Sequence, residues 1–267
     1  MNNIVEINDL GLEALAPYTR LTEAQLMNRL HPKEGLFICE SMKVIKVALA
    51  NGMQPVSFLC ERKFLPTLPD CGVEVFTAER EVLKSLTGYE LSRGVLCAMR
   101  RPELPKVELV LQNARRVAVM DGVVNSENIG AIFRAAASLG MDAVLLTRTS
   151  CDPLNRRACR VSMGTVFQMP WTFLDSYNQL KEAGFDIVAL ALSDTSVNID
   201  NVDLKKIEKM AIVLGTEGDG LGNEVLRLAE HVARIPMQRG VDSLNVAAAA
   251  AVAFWELGRL PSGPASE

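Results

Sequence analysis

From Arg115 to Leu257, strand-length apolar runs alternate with helical patterns, and this alternation limits the possible folds more than any other feature. "RRVAVMDGV", "MDAVLLT", "FDIVALAL" and "MAIVLG" read as strands, with "VFQMPW" and "HVARIPM" as shorter ones. Between and after them "NIGAIFRAAASLG", "LNRRACRVSMG", "SYNQLKEAG", "NEVLRLAE" and "VAAAAAVAFWEL" read as helices. Regular alternation of this kind implies an α/β fold with a largely parallel sheet covered on both faces.

The first hundred residues also mix the two patterns, in a smaller α/β unit. "LTEAQLMNRL", "SMKVIKVALANG" and "EREVLKSLTG" read as helices, with Ser41 as an N-cap and Gly52 placed to stop the second. "GLFICE", "PVSFLCE", "VEVFTA" and "GVLCAMR" read as strands. The stretch "RRPELPKVELVLQNARR", with two prolines and several charges, reads as a linker. A boundary near Pro105 gives two domains, residues 1–105 and 106–267.

The length of 267 residues suits two modest domains, and 49% hydrophobic with 22% charged residues is an ordinary globular balance. A net charge of −4 argues against indiscriminate nucleic-acid binding, although a local basic patch remains compatible with it. The six cysteines, at 39, 60, 71, 97, 151 and 159, form no C-x-x-C pair, and neither His31 nor His231 lies beside one. No zinc site and no disulfide framework is expected. The start "MNNIVEINDLGLEAL" lacks the basic end and apolar core of a secretory signal, and the longest apolar run, Val246 to Leu257, is too short to span a bilayer. The expectation is a reduced, cytoplasmic protein.

Four stretches carry chemistry. "AIVLGTEGDGLGNEVLRLAE" runs from a buried strand through a glycine-rich loop into a helix, but no third glycine completes a dinucleotide fingerprint and no Gly-Lys-Ser/Thr completes a P-loop. Only about fifty residues follow it, too few for the sheet of an ordinary doubly wound methyltransferase. In "NSENIGAIFRAAASLG", Arg134 interrupts an apolar helical run; such a cation either reaches water at the helix edge or meets a partner in a cleft. Arg156, Arg157 and Arg160 gather on one short helix, a solvated face by default and a phosphate contact as the sharper reading. In "GVDSLNVAAAAAVAFWELG", Ser243 or Asn245 caps the alanine-rich helix, whose small side chains permit close backbone approach.

The order of these stretches is informative. "NSENIGAIFRAAASLG", "IVLGTEGDGL" and "IPMQRGVDSLNVAAAAAVAFWEL" resemble the three sequential motifs of the SpoU/TrmH family, S-adenosylmethionine-dependent RNA 2′-O-ribose methyltransferases of the SPOUT class. The resemblance covers residues from about 113 to 260. It implies a C-terminal domain with a deep trefoil knot that holds the cofactor, and a homodimer with each site near the subunit interface. By the same resemblance Leu214, Gly215, Ile235, Pro236, Met237 and Leu244 shape the S-adenosylmethionine pocket. Asn128, Ser243 and Asn245 supply polar contacts at the reaction centre, and Glu217 holds Arg134 or a loop amide. Arg134 is the family's proposed base; because a guanidinium stays protonated, anchoring an RNA phosphate and steadying the developing alkoxide suits it better. No metal is implied.

"EGLFICESMKVIKVALANG" resembles, more loosely, the small RNA substrate-binding domain of many members, which favours ribosomal over transfer RNA, with Arg156, Arg157 and Arg160 as further contacts. Two departures from the family pattern stand out: alanine fills every position from 247 to 251, and "QRG" separates Met237 from Val241. Three rivals remain: a transfer-RNA methyltransferase, a non-catalytic RNA-binding protein of the same fold, and a nucleotide-dependent oxidoreductase.

Overall fold

A computed structural model describes residues 1–88, 94–193, 195–216 and 220–258. They fall into two compact units, Met1–Glu103 with Leu154–Phe167, and Leu104–Pro153 with Gln168–Glu267.

The first unit begins with β1 (Asn3–Glu6), α1 (Ala16–Thr19), α2 (Glu23–Met27), β2 (Leu36–Glu40) and α3 (Met42–Ala50). It continues through β3 (Pro55–Glu61), β4 (Glu74–Ala78), α4 (Arg80–Thr87) and β5 (Val95–Arg100). The five strands form one sheet in the order β1-β4-β3-β5-β2. It is mixed: β4 runs parallel to β1 and β3, whereas β5 is antiparallel to β2 and β3. Ser41 caps α3 by accepting from the Val44 amide at 3.5 Å, and the helix ends at Asn51 with Gly52 at φ +80°. The helix expected over "LTEAQLMNRL" is shorter, because Asn28 turns into the left-handed region straight after Met27.

In the second half of the chain α5 (Val107–Leu111), β6 (Arg116–Met120), α6 (Ser126–Ser138) and β7 (Ala143–Thr147) come first, followed by α7 (Arg156–Val161). Next are β8 (Trp171–Leu174), α8 (Asn178–Glu182), β9 (Asp186–Leu190) and β10 (Val197–Asn198). The chain closes with β11 (Met210–Leu214), α9 (Asn223–Leu228), β12 (His231–Arg234) and α10 (Val246–Leu257). Seven strands form a sheet in the order β10-β12-β9-β11-β6-β7-β8, and every pairing in it is parallel.

Three readings change. The stretch taken as a linker contains α5, whose Val107, Val110 and Leu111 are buried in the core with Leu145 and Leu174; its apolar spacing outweighs the flanking prolines. The strand placed at "VFQMPW" starts only at Trp171, after a short 3-10 turn at Thr165–Phe167. The segment Leu154–Phe167, which a boundary at 105 leaves in the second half, packs with the first unit. There Arg160 pairs with the buried Glu40 at 3.3 Å and the Phe167 ring lies 5.7 Å from that of Phe37.

A buried cation ties the second unit together. Arg116, 1% exposed, donates from Nε to the Leu257 carbonyl at 2.9 Å. Its terminal nitrogens donate to the carbonyls of Arg115, Glu208 and Ile207. Three segments far apart in sequence therefore share one guanidinium, and the last turn of α10 gains a cation at its negative end. No helix among the described residues is long and apolar enough to cross a membrane.

Candidate active site

In a parallel sheet all strands deliver their carboxyl ends to one edge, where the following loops converge. Here the loops after β9, β11 and β12 enclose a cavity of about 670 Å³. Leu190 and Leu192 line it from the first loop, Leu214, Gly215 and Thr216 from the second, and Ile235 and Met237 from the third. Ser243, Leu244, Asn245 and the first turn of α10 complete the wall. A volume of this size suits a ligand with one nucleoside and a short side chain.

The glycine loop has a steric reason for its composition. A Cβ on Gly215 would meet the Gly220 backbone at 2.6 Å, so only glycine lets the loop fold back on itself. The Thr216 amide then donates to the Gly220 carbonyl at 3.3 Å, closing the turn. Glu217 lies outside the described residues, and so does any pairing of it with Arg134.

The first and third motifs meet at the cavity rim. Asn245 caps α10 by accepting from the Ala247 amide at 2.9 Å, and its own amide donates to Oδ1 of Asn128 at 3.2 Å. Asn128 is buried in the first turn of α6, which Asn125 caps through the Glu127 amide. Two asparagines 117 positions apart thus hold each other where two helices begin. Ser243 is exposed at the cavity mouth and does not cap the helix.

Arg134 stands apart from this group. It is exposed, six residues along α6 from Asn128 and so turned by about 120° from it. Among the described residues, no hydrogen bond or ion pair engages its guanidinium. Pro236, between Ile235 and Met237, is not among the cavity walls. Arg156, Arg157 and Arg160 lie on α7 in the first unit; Arg157 is exposed and Arg160 is held by Glu40.

Several wall residues carry no sequence signal: Leu190, Ala191 and Leu192 simply continue an apolar strand, and Leu221 and Leu226 read as core. Tyr177 is buried in the same core cluster as Leu221 and Val225. Burial foremost, with the carboxylates of Asp121 and Glu224, pushes its hydroxyl's pKa far up, so it stays protonated. Among the described residues no group of three or more His, Cys, Asp or Glu could hold a metal.

Residues 115–255 match the model of the SpoU rRNA Methylase family. The chain belongs to that family. A protein of Mycobacterium tuberculosis named an uncharacterized tRNA/rRNA methyltransferase is 38% identical over 232 residues, 84% of this chain and 81% of that one. The 23S rRNA (guanosine(2553)-2′-O)-methyltransferase RlmP of Bacillus subtilis is 25% identical over 229 residues, 84% of this chain and 89% of that one. An AdoMet-bound rRNA methyltransferase from Sinorhizobium meliloti has the same fold, with a TM-score of 0.81 at 23% identity across 95% of this chain and 97% of that one.

Proposed function

We propose that the cavity at the carboxyl ends of β9, β11 and β12 binds S-adenosylmethionine and that the chain transfers its methyl group to a ribose 2′-hydroxyl of RNA. The Asn128–Asn245 contact carries the reading, because it joins the two polar motifs at the rim of a cavity of suitable volume. The walls fit the cofactor: leucines and Met237 offer apolar surface for a base, and the tight Gly215 turn leaves peptide groups able to bond its edge. When bound, S-adenosylmethionine supplies a methyl group activated by a sulfonium, so no metal is needed for that step.

The chain's own part is positioning. Asn128, Asn245 and Ser243 orient the ribose so that its oxygen approaches the methyl carbon in line, at roughly 3–3.5 Å. Glu217 belongs to the same centre in this reading, restraining Arg134 or a neighbouring amide. Arg134 anchors an RNA phosphate and steadies charge on the oxygen; the proton leaves to a phosphate oxygen or water, since the guanidinium itself keeps its protons.

Ribosomal RNA is the favoured substrate over transfer RNA, supported by the names of the relatives that act on 23S rRNA. The first unit, with Arg156, Arg157 and Arg160, is read as the RNA-binding part, and the second as the catalytic, knotted part. We place the protein in the cytoplasm. A homodimer is supported by the exposed stripe Ala248, Val252 and Trp255 on α10 and by the position of Arg134, which a second copy could receive. Calorimetric titration tests the cofactor: S-adenosylmethionine should bind and NAD should not. Mapping 2′-O-methyl marks on total RNA with and without the gene then names the nucleotide. An unchanged map, or binding of NAD alone, defeats the reading.

A further inference from the structure

The turn between β6 and α6 must deliver Asn128 to the cavity rim, and a set of hydroxyls outside the three motifs fixes its course. Thr147 ends β7 and Ser150 follows it. The Gly122 amide donates to Thr147 Oγ1 at 2.9 Å, and the Val123 amide donates to Ser150 Oγ at 3.1 Å. Ser150 Oγ in turn donates to the Met120 carbonyl at 3.0 Å. Its single proton is thereby spent, so the 3.4 Å contact with Thr147 Oγ1 has Thr147 as any donor. Thr147 Oγ1 also lies 2.9 Å from Thr149 Oγ1, and the Cys151 amide returns to the Val123 carbonyl at 2.9 Å.

Met120, Gly122 and Val123, on either side of Asp121, are thus each held by a side-chain hydroxyl. The turn is also wedged from the other side. Gly122 has φ +66°, and a Cβ there would meet Thr216 Cγ2 at 2.8 Å. Thr216 lines the cavity, so the turn leading to Asn128 touches the cavity wall through an atom-tight contact. Ser150 is only 9% exposed, which shelters its bonds to Met120 and Val123 from water.

We propose that Thr147 and Ser150 are positioning residues for methyl transfer: their hydroxyls set the 120–123 turn so that Asn128 and the Thr216 wall present ribose and cofactor in register. This rests on the cofactor reading of the cavity. Loss of either hydroxyl frees the turn to shift by a fraction of an ångström, while the walls after β9 and β12 keep their shape. Turnover falls and cofactor affinity does not.

The test uses the full chain, with single-turnover methyl incorporation into ribosomal RNA isolated from cells lacking it, and calorimetric binding of S-adenosylmethionine. Thr147→Val keeps the side-chain shape and removes the hydroxyl; Thr147→Ser keeps the hydroxyl. Ser150→Ala removes the second hydroxyl. Thr147→Val and Ser150→Ala should each lower the single-turnover rate on the order of tenfold or more, with cofactor Kd within about twofold of the parent. Thr147→Ser should recover most of the rate. A merely structural role predicts loss of rate and affinity together, with Thr147→Ser no better than Thr147→Val, and that result overturns the proposal. Unchanged rates in both hydroxyl-free variants overturn it as well. Failure of the parent chain itself to bind the cofactor removes the cofactor reading and this inference together.

Discussion

The two units treat polar groups in opposite ways. In the second, polar side chains gather at the carboxyl ends of parallel strands, around Asn128, Ser243 and Asn245, and the two central strands, β6 and β11, are wholly apolar but for Arg116. In the first, polar and acidic groups are spread through the core: Tyr18, Ser57, Cys60, Thr77, Cys97 and Glu40 are all buried within or beside a mixed sheet. A parallel sheet sends its loops to one edge and so builds one site from distant residues. A mixed sheet sends strand ends both ways, and no such convergence follows. Catalysis therefore reads as the business of one unit, and the other unit's polar groups read as internal structure.

The sharpest break of this contrast is Arg134, a motif residue that is exposed on α6 rather than held in the Asn128–Asn245 pair. Arg134→Lys should lower turnover on the order of 10²–10³-fold while cofactor affinity stays near that of the parent, because a lysine cannot offer a planar fork to phosphate and oxygen together. Mixing an Arg134→Ala chain with an Asn245→Ala chain, each inactive alone, should restore activity if Arg134 serves the cavity of a second copy. Full activity of Arg134→Lys removes the residue from the mechanism, and a silent mixture confines it to its own chain.

Arg116 is the second break, a charged group far from the convergent edge. Arg116→Met keeps the length and removes donors to four carbonyls, so it should cost at least about 3 kcal/mol of stability, read from denaturant unfolding. A loss well under that shows that water or a shifted backbone replaces the guanidinium.

What the sequence disclosed follows the same division. Six of the seven strands of the parallel sheet were legible as consecutive apolar residues, and their direction came with the alternation; the two-residue β10 was not legible. The polar triplet at the mouth of α10 and the asparagine of α6 were legible as motifs, yet nothing local told which of Ser243 and Asn245 would cap; Asn245 does, and Ser243 is left at the cavity. β1 was not legible: "NIVE" is four largely exposed residues, and only pairing with β4 makes it a strand. The role of Arg116 was not legible because its partners are carbonyls, which leave no trace in residue identity. The Thr147–Ser150 hydroxyls were invisible for the same reason.

The smallest effect tests the first unit's buried acids directly. Burial, foremost, pushes the Cys60 thiol from 9.0 up to about 11, with the Glu61 carboxylate adding to it and the Thr77 hydrogen bond opposing it. Burial likewise raises Tyr18 and Cys97. These groups hold their protons more tightly folded than unfolded; for Cys60 the contribution is intact below pH 9 and is lost as pH climbs through about 11. For Cys60 alone the loss is at most about 2–3 kcal/mol. Both tryptophans, Trp171 and Trp255, belong to the second unit, so their fluorescence reports on that unit by itself. Raising the pH from 8 toward 11 should therefore open Cys60 and Cys97 to alkylation before tryptophan fluorescence changes. If the fluorescence moves first, or the two probes move as one, the acids of the first core do not set its alkaline limit, and the contrast between the units narrows to the geometry of their sheets.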